Sequence, residues 1–202
     1  MMGSVYSFIQ LVIGWLLVSL PLIVFLYVGV IESQRNLYSY DVGILAYVGW
    51  LIALYISTRP NWLVRWFGMG RLMFWHRVLG SLTLVTAIGH YWFSFTMHSE
   101  IKYTGLVALI LSVIAFLIAV LILSPLGSRS LIGFRHLKTI IRERWSRKSG
   151  LWLHRLYISA ILLGWLHVHL IIRIANSMYF MMLFDGYTLL VLAIYGWHKL
   201  KG

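Results

Sequence analysis

Four histidines carry the side chains in this sequence best placed for chemistry. His76 and His90 stand in one long apolar run, within Phe74-Trp75-His76-Arg77-Val78-Leu79-Gly80 and Gly89-His90-Tyr91-Trp92. His154 and His167 stand in another, within Leu151-Trp152-Leu153-His154-Arg155-Leu156-Tyr157 and Trp165-Leu166-His167-Val168-His169. Neutral imidazole is a good ligand for iron, and ligand-type side chains at membrane depth are functional candidates by default. On a helix, the 14 residues between His76 and His90 fall about 40° short of four turns, which puts both on one face about 21 Å apart. His154 and His167 lie at matching depths, about 20 Å apart, but their 13-residue spacing falls about 140° short of four turns. His169 overshoots by only about 60°, so periodicity alone favours it over His167. A locally irregular helix near Gly164 would restore His167. Pairing by depth gives His76 with His154 and His90 with His167. Each pair suits an iron clamped from opposite sides, and bis-histidine ligation fills both axial positions of a haem. The expectation is two stacked b-type haems used for outer-sphere electron transfer rather than gas binding.

The elements that must position these residues follow from composition. Of 202 residues, 61% are hydrophobic and 11% charged, and the mean hydropathy is +0.86. Such values belong to integral membrane proteins. The absence of cysteine excludes disulfides, thiolate zinc sites and cysteine-ligated iron–sulfur clusters. Six apolar runs, at approximately Phe8–Val30, Asp41–Thr58, Phe74–Met97, Tyr103–Leu123, Leu151–Ile174 and Met178–Trp197, are long enough to cross a ~30 Å hydrocarbon core as helices. They lack the alternation of barrel strands. The expected fold is therefore all-α: one transmembrane domain over residues 1–202, a six-helix bundle enclosing the two haems. The first run lacks a basic leader and is too long for a signal core, so it reads as a retained span. Pro21 is expected to free a carbonyl and kink it.

Loop charge gives the bundle a direction. The connections carrying Arg59, Arg65 and Arg71, and Arg129 to Lys148, are rich in cations; those carrying Arg35, Lys102 and Arg173 are poor. This alternation follows the positive-inside rule. It predicts a multi-pass cell-membrane protein with both termini cytoplasmic, and accounts for most of the net +12 without nucleic acid. Within a basic segment at about 125–149, Phe134, Leu137, Ile140, Ile141 and Trp145 recur at helical spacing among Arg135, Lys138, Arg142 and Arg144. That is an amphipathic helix on the membrane face, an anchor in lipid or a docking face for an acidic electron donor. Pro60 to Arg71 interleaves Trp62, Trp66 and Phe67 with arginines in the same manner. Arg77 and Arg155 each follow an inner histidine, where haem propionates would need charge-assisted partners; as simple positive-inside anchors they would need none. Gly80 heads a set of small residues (Ser81, Thr83, Thr86, Ala87, Gly89) that leaves room for a planar group. At the outer end, His98, His169 and Arg173 are candidates for an acceptor site.

The stretches FWHRVLGSLTLVTAIGHYW and LWLHRLYISAILLGWLHVH, with the six-span layout of the whole chain, resemble the ferric reductase transmembrane domain superfamily, which includes NADPH oxidases and ferric reductases. In that family the third-span histidines are 14 apart and the fifth-span ones 13 apart, so the resemblance selects His154 and His167 as ligands. It implies electrons passing from cytoplasmic NAD(P)H through FAD and two haems to ferric iron or dioxygen outside. No nucleotide-binding fingerprint stands in this sequence, so FAD and NAD(P)H are expected on a partner reductase or a further domain. A related branch serves a periplasmic methionine sulfoxide reductase with another donor, quinol among them, and lacks the first third-span histidine; His76 is present here. Two further readings compete. One is a quinol-linked haem subunit feeding an extracytoplasmic reductase. The other is a non-redox transporter or channel whose histidines form a relay.

Overall fold

The computed structural model describes residues 2–29, 37–94, 96–123 and 132–201, and among these every regular element is helical. In chain order the helices are α1 (Met2–Gly29), α2 (Leu37–Ser57), α3 (Asn61–Phe67), α4 (Met69–Phe93), α5 (Ser99–Ile118), α6 (Ile132–Arg144), α7 (Arg147–His154), α8 (Leu156–His169), α9 (Ile172–Ala175) and α10 (Met178–Lys201). A π-helical turn over Ala119–Leu123 prolongs α5. Six stretches are long and apolar enough to cross a membrane: Phe8–Gly29, Tyr38–Ser57, Met69–Phe93, Ser99–Leu123, Arg147–His169 and Met178–Lys201. They turn large apolar side chains outward, Val85, Leu189 and Leu190 among them, as a bundle built for apolar surroundings does.

Several boundaries differ from the sequence expectation by a few residues. The third span begins at Met69 rather than Phe74, because Gly68, at φ 74°, turns the chain directly from α3 into α4. It also stops at Phe93, short of Met97. The second span starts before Asp41, whose Oδ2 accepts a hydrogen bond from the Tyr27 hydroxyl at 3.0 Å. The fifth span ends at His169, after which α9 forms a separate short turn reaching Ala175. At Pro21 α1 continues without a break. Glu32, Arg35, Arg129 and the side chain of Phe134 lie outside the described residues, so the loop-charge pattern is described only in part.

Packing divides the bundle into two helix pairs. α4 lies chiefly against α2, and α8 chiefly against α5, while α1 and α10 also pack on α2. α2 is the central element: 61% of its span is buried, against 11–33% for the other five. It approaches α4 closely at Gly49, where an added Cβ would collide with the Thr83 methyl. The core joins Leu22 and Leu26 of α1, Val48 and Leu51 of α2, Leu79 of α4, Ile161 of α8, and Phe180 and Phe184 of α10. Trp75 is buried with its ring 5.7 Å from that of Phe8, whereas Trp92, Trp152 and Trp197, also near span ends, are exposed. On α6 the side chains of Leu137 and Ile140 face away from the bundle and Lys138 is buried, which leaves an apolar strip free for lipid.

One buried hydrogen bond ties α2 to α10. The Thr188 hydroxyl donates to the Phe184 carbonyl at 2.9 Å. Its single proton is thereby used, so in the 2.9 Å contact with Tyr47 it accepts from the phenol. Tyr47→Phe should cost about 0.5–1.5 kcal/mol, while Thr188→Val, which strands the buried phenol, should cost about 1–3 kcal/mol. Thermal or denaturant unfolding in detergent ranks the two variants; equal losses would remove this assignment of donor and acceptor.

Candidate functional site

Each of the four histidines rests on the backbone of the neighbouring helix. Nδ1 of His76 lies 3.0 Å from the Ala53 carbonyl, and Nδ1 of His90 lies 2.7 Å from the Ser39 carbonyl. On the other helix pair, His154 Nδ1 is 3.0 Å from the Ala115 carbonyl and His167 Nδ1 is 2.8 Å from the Ile101 carbonyl. A carbonyl oxygen can only accept, so Nδ1 is the protonated, donating nitrogen of each neutral ring. Nε2 then carries a lone pair. Such an Nδ1–H to carbonyl bond is the usual support of a metal-binding imidazole: it fixes tautomer and orientation and raises basicity.

The four rings come together in two pairs. The His76 and His154 ring centroids are 6.4 Å apart with planes at 82°, and those of His90 and His167 are 6.3 Å apart at 89°. Two imidazoles bound on opposite sides of one metal ion, each through a bond of about 2 Å, have centroids roughly 6 Å apart. The spacing in both pairs is close to that value. Among the described residues no group of three or more His, Cys, Asp or Glu side chains gathers as a cage.

The register behind this geometry is a ladder. Ser39 and Ala53 are 14 residues apart on α2, matching His90 and His76 on antiparallel α4; Ile101 and Ala115 are also 14 apart on α5. His154 and His167 are only 13 apart. The chain absorbs that mismatch at Arg155, between α7 and α8, not near Gly164 as the sequence suggested. The Arg155 N–H reaches the Trp152 carbonyl at 3.1 Å and the Ile158 N–H reaches the Arg155 carbonyl at 2.9 Å. These three-residue steps wind the helix more tightly, by about 20° per residue, and recover part of the deficit. Gly164 serves packing instead, with Tyr47 and Trp50 against it.

Two glycines make room for the rings. A Cβ on Gly43 would stand 2.9 Å from the His90 imidazole, and one on Gly105 would stand 3.0 Å from that of His167. Gly43 lies four residues after Ser39 and Gly105 four after Ile101, so each helix accepts the Nδ1–H with one turn and yields space with the next. Sequence reasoning missed both. Their equal placement behind two carbonyl seats is the signal that could have revealed them.

Each pair lines a cavity. The first, about 180 Å³, holds His76 and His154 together with Arg77, Arg155, Gly80 and Ser81. All the inner-site residues expected from the sequence are therefore brought together. The second, about 340 Å³, holds His90 and His167, with Lys102 and otherwise mostly apolar walls. Between the cavities stand Tyr157, which lines the first, and Trp50, which lines the second; their rings are 5.7 Å apart.

His169 is placed differently from His167. Its Nδ1–H donates to the Trp165 carbonyl at 2.9 Å, and its Nε2 lies 3.4 Å from Asp185 Oδ1, which also accepts from the Trp165 indole at 2.7 Å. Both ring nitrogens are engaged within the chain. His169, His98 and Arg173 are not among the residues that line the His90–His167 cavity. Lys102 stands there instead.

Gly43→Ala and Gly105→Ala should each force an imidazole from its carbonyl and cost about 1–3 kcal/mol by overpacking. Gly89→Ala, where the added Cβ meets nothing within 4 Å, should be neutral or stabilising by up to about 1 kcal/mol. Melting of the three variants in detergent tests this, and equal behaviour would contradict it.

No protein-family model, curated protein or solved structure matches the chain.

Proposed function

We propose that this chain is the membrane component of a haem-dependent oxidoreductase. It passes electrons from a cytoplasmic flavin/NAD(P)H reductase to an extracytoplasmic acceptor, ferric iron or dioxygen, through two bis-histidine b haems. The observation that carries this reading is the pair of facing imidazole couples, 6.4 and 6.3 Å apart, with every Nδ1 anchored on a backbone carbonyl. When bound, each haem supplies reversible one-electron chemistry at its iron.

The chain's own residues do the rest. His76 with His154, and His90 with His167, would hold the two haem irons. The carbonyls of Ala53, Ser39, Ala115 and Ile101 keep the rings in one tautomer and raise their basicity. The apolar walls limit water and lower the local dielectric, which tunes redox potential. Arg77 and Arg155 suit the propionates of the first haem as charge-assisted partners. On the positive-inside rule the basic loops face the cytoplasm, which would put the His76–His154 pair on the donor side and the His90–His167 pair on the acceptor side. The resemblance to the ferric reductase superfamily implies the same direction, with FAD and NAD(P)H on a partner or a further domain.

Replacing single histidines tests the ligand set. His167→Ala should halve the haem content of the purified protein, and His169→Ala should leave two haems per chain. The reverse pattern would move the outer ligand to His169. Sealed vesicles supplied with NADPH and a flavin reductase on the basic side should reduce an enclosed ferric chelate or dioxygen. Reduction by quinol analogues alone would favour the quinol-linked alternative.

A further inference from the structure

We propose that Lys102 holds a carboxylate in the His90–His167 cavity, as the counterpart there of Arg77 and Arg155, and that this carboxylate is a propionate of the haem bound in it. The inference rests on the di-haem reading above.

Three observations converge on Lys102. Its side chain is the cation among the residues lining this cavity, whose walls are otherwise mostly apolar. Polar groups share the rim: Ser94, Thr96 and Tyr40 line the same cavity, and Ser94 Oγ lies 3.1 Å from His90 Nδ1. Lys102 also directly follows Ile101, whose carbonyl seats His167, just as Arg77 and Arg155 directly follow His76 and His154. In both cavities a cation therefore stands one residue from a point that fixes a ring.

The chemistry requires such a group. A haem carries two carboxylates on one edge, and a carboxylate drawn against an apolar wall without a partner is costly. An ammonium at the rim pairs with it through a short, charge-assisted hydrogen bond. An anionic acceptor, such as a ferric citrate chelate, would offer Lys102 the same carboxylate chemistry, so the test must separate the two sources. A cation held beside a haem stabilises the form carrying the extra electron, so removing it lowers that haem's reduction potential and leaves the distant haem unchanged.

The experiment is a potentiometric titration of the purified full chain, followed optically, for the wild type, K102Q, K102R and R77Q, with haem content measured on each. Two haems in the wild type support the site itself; none would overturn it and this inference together. Given two, K102Q should lower one of the two potentials, R77Q should lower the other, and K102R should restore the wild-type value. A K102Q protein with both potentials unmoved, or with the same component displaced as in R77Q, overturns the assignment. Unmoved potentials with a raised KM for ferric citrate would also overturn it and give Lys102 to the acceptor. Loss of one haem in K102Q but not in K102R supports the propionate contact.

Discussion

The Nδ1–H to carbonyl hydrogen bond, made four times between a ligand helix and its neighbour, is the constraint on which the site depends. Each bond contributes only about 0.5–1.5 kcal/mol in net terms, so its importance is directional. It settles which nitrogen carries the proton, leaves the lone pair on Nε2, and couples the angle of each ring to the register of α2 against α4 or of α5 against α7 and α8. If either pair slipped by one residue, the histidines would face the wrong carbonyls and the opposed rings would part.

The two helix pairs solve the same problem with different local means. On α2 and α4 the acceptors and the histidines share a 14-residue spacing, and regular helices suffice. On α5 and α8 the spacings are 14 and 13, and both strands of the arrangement are irregular at the His154 level: α7 passes into α8 through a tightened turn at Arg155, and α5 loosens into the π turn at Ala119–Leu123. Departures of this kind from the α-helix cluster at functional sites. Gly43 and Gly105 then perform the same service on the two sides, letting a ring lie over the backbone where any side chain would stand in its way.

The sequence made a good part of this legible. Apolar run lengths located all six spans to within a few residues, and imidazole spacing with loop charge paired the histidines by depth. Three features were not legible, each for a physical reason. The ring acceptors are backbone carbonyls, which leave no residue-type signature; Ala53 and Ala115 look like any small residues in an apolar helix. The interruption at Arg155 has neither proline nor glycine to mark it, so ideal periodicity preferred His169, whereas the folded chain engages His169 with Trp165 and Asp185. The placement of Lys102 was hidden because a short loop with one acid and one base reads as neutral, and only the fold shows which of them meets a cavity.

The central claim is that each imidazole pair is a bis-axial ligand set. The most direct measurement is the low-temperature electron paramagnetic resonance spectrum of the oxidised, purified chain, alongside its haem-to-protein ratio. Ring planes at 82° and 89° predict two low-spin ferric haems per chain, both with the strongly anisotropic signal of perpendicular axial imidazoles. A folded protein free of haem, or one whose haem is high-spin with an open coordination position, would contradict the account.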